Sequence, residues 1–294
     1  MADVLTVDKR LVRRSFDDAA DTYDAAAVLQ NEVCARMLGR LEYIKLAPAA
    51  ILDAGSGTGN ALAALAKRYP DARIVALDIA HAMLARARRR RPWWQSLPGL
   101  RKPMYPVCAD VEALPLATGS VGLVWSNLAL QWVNDLPRAF AETHRVLAPG
   151  GLLMFSTFGP DTLNELRRAY EGTDAHTHVN RFIDLHDIGD MLVAAGYADP
   201  VMDMEQLTLT YESVRALMRD LKAIGAQNAT RDRPLALSGK GQLAAVERAY
   251  EAHRRDGRLP ATFEIVYGHA WKPLPRVGPG GHRVIDLKSV GHES

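Results

Sequence analysis

The stretch ILDAGSGTGN, residues 51–60, constrains the fold more than any other part of the chain. A short apolar run ends in Asp53, three glycines follow at positions 55, 57 and 59, and a helical pattern then begins. A buried strand that stops at a flexible turn and passes into a helix opens a βαβ unit. Glycine there serves a tight turn, or it lets a ligand approach the backbone where a helix N-terminus offers free N–H groups. The three glycines alone do not choose between these uses.

The downstream pattern supports the unit and repeats it. AILDAG, ARIVALDIA, MYPVCAD, VGLVWSNLAL and LLMFSTF read as strands, separated by the helical patterns ALAALAKRY, HAMLARARRR and DLPRAFAETHRVL. Strands alternating with helices predict an α/β fold with a doubly wound, mostly parallel, Rossmann-like sheet. Two helical segments precede it. One, around 8–23, carries Lys9, Arg10, Arg13 and Arg14; the other, around 28–46, places Val28, Val33, Met37 and Leu41 on one apolar face. Beyond residue 160, four helical patterns are punctuated by two strand-like runs, VMDMEQLTLTY and ATFEIVYGHAWK, suggesting a sheet edge with an inserted helical lid. The expected layout is a single domain over 1–272. It comprises N-terminal helices (1–47), a cofactor-binding core (48–160), lid helices with an edge strand (161–258) and a last strand (259–272). A Pro- and Gly-rich tail, 273–294, is expected to be disordered.

Composition excludes several classes. The chain has 294 residues, a formal net charge of +2 and no apolar run long enough to span a membrane, so a soluble protein without a membrane or nucleic-acid role is expected. The N-terminus lacks the apolar core of a secretory signal. The two cysteines, Cys34 and Cys108, are isolated and read as buried small residues, which suits a reducing cytoplasm. His176 and His178 form a lone H-x-H pattern that reads as a polar lid loop, and no metal site is expected.

The next strand ends sharpen the glycine reading. Asp78 closes the second strand nineteen residues beyond Gly59. An acidic residue there can accept hydrogen bonds from ribose hydroxyls, or it can cap the helix that starts near His81. Asp110 closes the third strand, where it suits an adenine edge or a simple helix cap. Leu62 stands where a dinucleotide fingerprint would have its third glycine, and no P-loop is present, so the spacing favours a nucleoside ligand other than NAD or a nucleoside triphosphate.

ILDAGSGTG, LDIAHAML, CADVEALPL, SNLALQW and ETHRVLAPGGLLMFSTFG together resemble, in order over roughly residues 50–160, the motifs of class I S-adenosylmethionine-dependent methyltransferases. The resemblance implies S-adenosylmethionine as cofactor. Asp53, Gly55, Ser56, Gly57 and Gly59 would line its methionine portion, Asp78 and Ile79 the ribose, Asp110 and Val111 the adenine, and Asn127 the pocket between them. Ser56 stands where many relatives carry cysteine. The flanks KRLVRRSFDDAADTYDAAAVLQNEV, FGPDTLNELRRAY, HVNRFIDLHDIGDMLVAAGY and ALMRDLKAIGAQN are similar to the biotin-pathway malonyl-acyl carrier protein O-methyltransferases. GPDTLNELR and PATFEIVYGHAWK look at least as much like the mitochondrial complex I assembly factors associated with arginine hydroxylation. The resemblance thus implies a carboxyl O-methyltransferase, with a protein-modifying factor or a non-catalytic cofactor-binding module as the alternatives. SNLALQW lacks the Asn/Asp-Pro-Pro-Tyr/Phe motif of amino-group methylation.

A malonyl carboxylate is already ionised at neutral pH, so its methylation needs positioning rather than a base. The expected machinery is an arginine clamp with aromatic walls. Arg181 is the candidate clamp, with Tyr23 and Trp132 shaping the pocket; each also admits a packing or surface role. The segment from Arg86 to Lys102 is basic, contains Trp93 and Trp94, and has no acidic residue. It reads as a solvated helix end and loop, or as a surface for an acidic acyl carrier protein, with single-stranded nucleic acid the weaker partner.

Overall fold

The computed structural model describes residues 6–90, 104–174, 176–230 and 240–275. The basic sequence 85–103 is thus seen only up to Arg90, and residues 276–294 of the expected tail lie outside the described residues. Helix α1 (Lys9–Ala19) starts where the Asp8 carboxylate accepts from the N–H groups of Arg10 and Leu11. The expected helix over 8–23 does not run through. It stops where Thr22 turns its hydroxyl back onto Ala19 O, and a single turn, α2 (Tyr23–Ala26), follows. Helix α3 (Val28–Leu41) buries Leu29, Val33, Met37 and Leu41, four residues apart, so Val28 falls off the stripe and is 61% exposed.

The core then alternates as expected: β1 (Ala50–Ala54), α4 (Leu62–Arg68), β2 (Arg73–Asp78), α5 (His81–Arg89), β3 (Met104–Cys108), β4 (Val121–Asn127), α6 (Leu136–Val146) and β5 (Leu147–Phe158). After it come α7 (Asn164–Tyr170), α8 (Leu185–Ala194), β6 (Ala198–Tyr211), α9 (Val214–Ala223), α10 (Lys240–Glu251) and β7 (Leu259–Trp271). Among the described residues the sheet has seven strands in the order β3-β2-β1-β4-β5-β7-β6. β1 to β5 pair in parallel, whereas β7 inserts antiparallel between β5 and β6. Strand order reverses between β1 and β4, which opens a crevice at their carboxyl ends.

Burial follows the strand alternation. Ile51, Leu123, Trp125 and Met154 face the layer of α3 and α4, while Leu52, Val124, Leu153 and Phe155 face the other side. Covered on both faces, β1 is wholly buried and β4 nearly so. β3 is the sheet edge, and Cys108 at its end is exposed, contrary to the buried position expected from its strand; Cys34 is buried in α3 as expected. No helix of the described residues is long and apolar enough to cross a membrane.

One helix sits elsewhere than its sequence neighbourhood suggests. Ile188 and Leu192 of α8 pack with Leu136 and Phe140 of α6 under the sheet, and Tyr197, just beyond, donates to Thr143 Oγ1 at 2.9 Å. α8 is therefore a crossover helix delivering the chain to β6, and the lid proper consists of α7, α9 and α10. Leu192→Ala is expected to cost about 2–5 kcal/mol in urea unfolding by opening a buried cavity. Cofactor affinity at temperatures where the variant is folded should stay unchanged; a helix belonging to the lid would give the opposite pattern.

Candidate active site

The carboxyl ends of β1, β2 and β4 converge on a cleft roofed by α1. Its floor is the glycine turn. Gly55 has φ +80°, and a Cβ there would lie 2.2 Å from Ala129 Cβ, so only glycine lets the loop after β4 close against the end of β1. Gly57 has φ +53°, lies against the Tyr23 ring (a Cβ there would be 4.0 Å from Cε1) and lines the cleft. Gly59 departs from expectation. It lines neither the cleft nor the recess beside it; its Cα faces Leu62 and Ala87, where a side chain would strike Leu62 Cδ1 at 2.7 Å, so glycine here lets helices pack closely.

Asp78 lies at the end of β2 and joins two loops. One carboxylate oxygen accepts from Ala80 N at 2.8 Å, capping the approach to α5; the other accepts from Gly57 N, also at 2.8 Å, and the group lines the cleft. Burial pushes its carboxyl up to about 6, against the opposing pull of those two N–H groups. Ile79, Asp110, Val111 and Asn127 line the same cleft. Asn127 is held in place, donating to Gln30 O and accepting from Ser156 Oγ, each at 3.0 Å.

The roof was not legible in the sequence. Lys9, Val12 and Phe16 of α1 all line the cleft. Lys9 Nζ reaches both oxygens of Asp110, at 2.7 and 2.8 Å, and Glu112 Oε1 at 2.9 Å. Phe16 meets Trp132 edge to face, with centroids 5.4 Å apart. Tyr23 closes the side of the cleft, and burial, aided by Asp78 and Asp24, pushes its hydroxyl well above the ordinary tyrosine range. Asp24 next to it bonds Thr58 of the glycine loop and Arg90 at the end of α5.

A smaller polar recess opens off the cleft beneath Tyr23. Gln30 Oε1, Asp53 Oδ2, Ser56 Oγ and Trp125 Nε1 all line it, and all four atoms are buried without a hydrogen-bond partner. Each such orphan costs about 1–3 kcal/mol, so a cluster of four in one recess indicates a polar ligand. The set contains two acceptors, one donor and a hydroxyl able to do either, which matches the ammonium and carboxylate of an amino acid. The residues therefore fit the methionine end of the expected cofactor. Burial, with Asp78 nearby, pushes the Asp53 carboxyl up to about 8.

Next to the cleft lies a larger, partly open cavity walled mainly by apolar and aromatic side chains such as Leu29, Phe158, Leu166, Phe182 and Phe263. Trp132 is common to this cavity and the cleft, and Gln30 is common to the cavity and the polar recess. Arg181 departs from its expected place. Its neighbours Asn180 and Phe182 line the cavity, but Arg181 itself is exposed and lines neither cavity nor cleft. Of the basic segment, Arg86 is paired with Asp21 and Arg90 with Asp24, while Arg88 and Arg89 are exposed; Trp93, Trp94, Arg101 and Lys102 lie outside the described residues. Among the described residues no group of three His, Cys, Asp or Glu side chains could hold a metal ion.

Comparison with known proteins bears on this geometry. Residues 52–155 match the family described as "Methyltransferase domain". The chain is 61% identical to the malonyl-[acyl-carrier protein] O-methyltransferase of Gallionella capsiferriformans, covering 95% of this chain and 96% of that one. It is 58% identical to the protein of the same name from Methylovorus sp., covering 98% and 97%. Among solved structures, phosphoethanolamine N-methyltransferase 2 of Haemonchus contortus, in complex with S-adenosylhomocysteine, superimposes with a TM-score of 0.54 at 18% identity, covering 91% of this chain and 61% of that one. The YcgJ protein of Bacillus subtilis gives 0.55 at 17% identity, covering 81% and 98%. At such identities these two matches speak for the fold alone.

Asp53 makes the ligand-free protein sensitive to pH. Its folded carboxyl, near 8, holds a proton that the unfolded chain, with the ordinary value of 3.8, has released. The folded form thus binds more protons between about pH 4 and 8, and stability falls as pH rises through that window. Asp53→Asn is expected to lessen the drop in thermal midpoint between about pH 5 and 8, and to reduce the upward shift that S-adenosylmethionine produces. A wild-type pH slope in the variant would contradict this account.

Proposed function

The chain belongs to the malonyl-[acyl-carrier protein] O-methyltransferase family, and from that membership we propose that its two adjoining cavities join S-adenosylmethionine to a carrier-bound malonyl group. The reaction converts the free carboxylate to its methyl ester, at the start of biotin synthesis. The observation that carries the reading is the shared wall: a cleft with a nucleoside- and amino-acid-like set of polar groups touches an apolar cavity through Trp132 and Gln30. The cofactor is S-adenosylmethionine, which supplies an electrophilic methyl group on a sulfonium. The Asp53 and Gln30 oxygens suit its ammonium, Ser56 Oγ and Trp125 Nε1 its carboxylate, and Asp78 its ribose.

The protein's own contribution is positional. Trp132 stands where the two cavities adjoin and Tyr23 where the cleft meets the polar recess, and together with Leu29 and Phe158 they keep water from the reacting oxygen. A carboxylate oxygen forms the new O–C bond as the C–S bond breaks, and no proton has to move. Asp110 keeps a place beside the adenine, but with its charge already matched by Lys9. Gln227 along the apolar cavity offers its amide to a pantetheine arm, whose own amides need partners. The carrier itself is acidic, and Arg88 and Arg89, exposed at the end of α5, offer complementary charge. A reducing cytoplasm is the setting that suits such a carrier and the isolated cysteines.

Incubation with methyl-labelled S-adenosylmethionine should label malonyl-acyl carrier protein and leave acetyl-acyl carrier protein unlabelled. Label in neither, despite measurable cofactor binding, would overturn the reading. Trp132→Ala should lower kcat/KM for malonyl-carrier by at least about tenfold through loss of the wall that aligns the two substrates. Arg181→Ala separates the side-chain position described above from a clamp: an exposed residue gives nearly unchanged turnover, while a clamp that swings inward gives loss of turnover at intact cofactor affinity. Raising salt from about 50 to 300 mM should weaken turnover of malonyl-carrier more than that of a malonyl-pantetheine thioester. Equal salt dependence of the two would remove the basic surface from carrier docking.

A further inference from the structure

A carboxylate entering the apolar cavity needs a cation, and Arg181 does not face it. Three side chains that can carry charge near neutral pH line that wall among the described residues: Asp220, Lys222 and His178. Asp220 is an anion that accepts from Tyr211 Oη at 2.8 Å, so its side of the cavity repels a carboxylate. Lys222 is exposed, and water screens its charge.

His178 is built differently. Its side chain is only 9% exposed, and its ring lies flat on Tyr170, centroids 3.9 Å apart and planes 9° from parallel. Nε2 meets Asp174 Oδ1 at 2.8 Å. Asp174 is itself fixed, accepting from His176 N at 2.9 Å and from Gln242 Nε2 at 2.7 Å, and these bonds, with that of His178, hold its carboxyl down at about 2. The imidazole is thus locked in rotation, stacked on Tyr170 and held at Nε2 by the Asp174 carboxylate. Nδ1 has no hydrogen-bond partner among the described residues. The groups facing the ring are Tyr170 of α7, Asp174 and Gln242 around its edge, and across the cavity Tyr211, Asp220 and Lys222.

We propose that His178, clamped by Asp174 against Tyr170, binds the free carboxylate of the malonyl group and so selects malonyl over uncharged acyl groups. The proposal rests on the methyl-transfer reading above and adds its recognition group. One carboxylate oxygen accepts from Nδ1–H of the imidazolium, which leaves the second oxygen, and its lone pair, to face the cofactor cleft. His178 acts as a binding residue and takes no proton from the substrate. Asp174 is a positioning residue that works through it.

The test is steady-state kinetics at saturating S-adenosylmethionine on the full chain, across about pH 6 to 9, with malonyl-carrier as substrate and malonamyl-carrier, the uncharged amide, as competitor. The wild type should lose kcat/KM as pH rises and the imidazolium discharges, and should bind malonamyl-carrier weakly. His178→Gln should raise KM for malonyl-carrier at least about tenfold, in line with loss of a charged hydrogen bond, flatten the alkaline fall, and bring malonamyl and malonyl binding close together. Asp174→Asn keeps the ring in place and should move the fall to lower pH; His178→Arg should restore part of the malonyl preference without the pH dependence. S-adenosylmethionine affinity, unchanged in each variant, reports intact folding. An active wild type whose His178 and Asp174 variants keep its KM, pH profile and selectivity overturns the proposal alone. A wild type that does not methylate malonyl-carrier overturns the reading beneath it, and the proposal with it.

Discussion

The site depends on one buried carboxylate with two backbone bonds. Asp78 sits at the end of β2 and holds Gly57 N with one oxygen and Ala80 N with the other. A charged group so deeply placed is tolerated only because those donors and its exposure to the cleft offset its desolvation. In return it pins two loops, after β1 and after β2, at fixed separation. The glycine turn can therefore stay side-chain-free and still be rigid. Everything that lines the cleft from the sheet side is referenced to that pair of bonds.

The opposite side is supplied by the N-terminal helices, and its chemistry is complementary. Lys9 offsets Asp110 and Glu112, while Asp24 joins Thr58 and Arg90, so the roof is attached to the core at both ends by polar contacts. Apolar contact between Phe16 and Trp132 fills the middle. Such a roof excludes water from the cleft while resting on interactions that can exchange with solvent, each of modest strength. The four unsatisfied atoms of the recess are a different case. They lower the stability of the ligand-free protein and are recovered only when a ligand with the right donors and acceptors enters.

What is legible in the sequence is encoded locally. Strand ends, glycine spacing and the acidic residues closing successive strands recur at fixed distances along the chain, so the sequence singles out Asp53, Gly55, Gly57, Asp78, Ile79, Asp110, Val111 and Asn127, and the structure gathers them around one cleft and its recess. Lys9, Gln30 and Trp125 are not singled out, because their roles arise from contacts more than twenty residues away with no periodic signal. α8 was misplaced for a related reason: its apolar face is plain in the sequence, but which layer receives it depends on the return path to β6. The segment from Asp174 to Phe182 has neither helical nor strand period, so nothing in it announced that Asn180 and Phe182 would turn inward and Arg181 outward. Gly59 shows the converse, a residue correct for the fold whose contribution is helix packing.

The roof helix is also fastened to the lid. Val7 bridges Thr230, Asp8 N donates to Ala229 O at 2.8 Å, and Thr22 Oγ1 donates to Ala223 O at 2.8 Å, while Asn134 holds Val7 from the core side. One short helix thus roofs the cleft and is tied, through its flanks, to the segment around α9 that walls the apolar cavity. The cover over the nucleoside cleft therefore shares its anchors with the wall of the neighbouring cavity, and a shift of α9 would be felt at the mouth of the cleft.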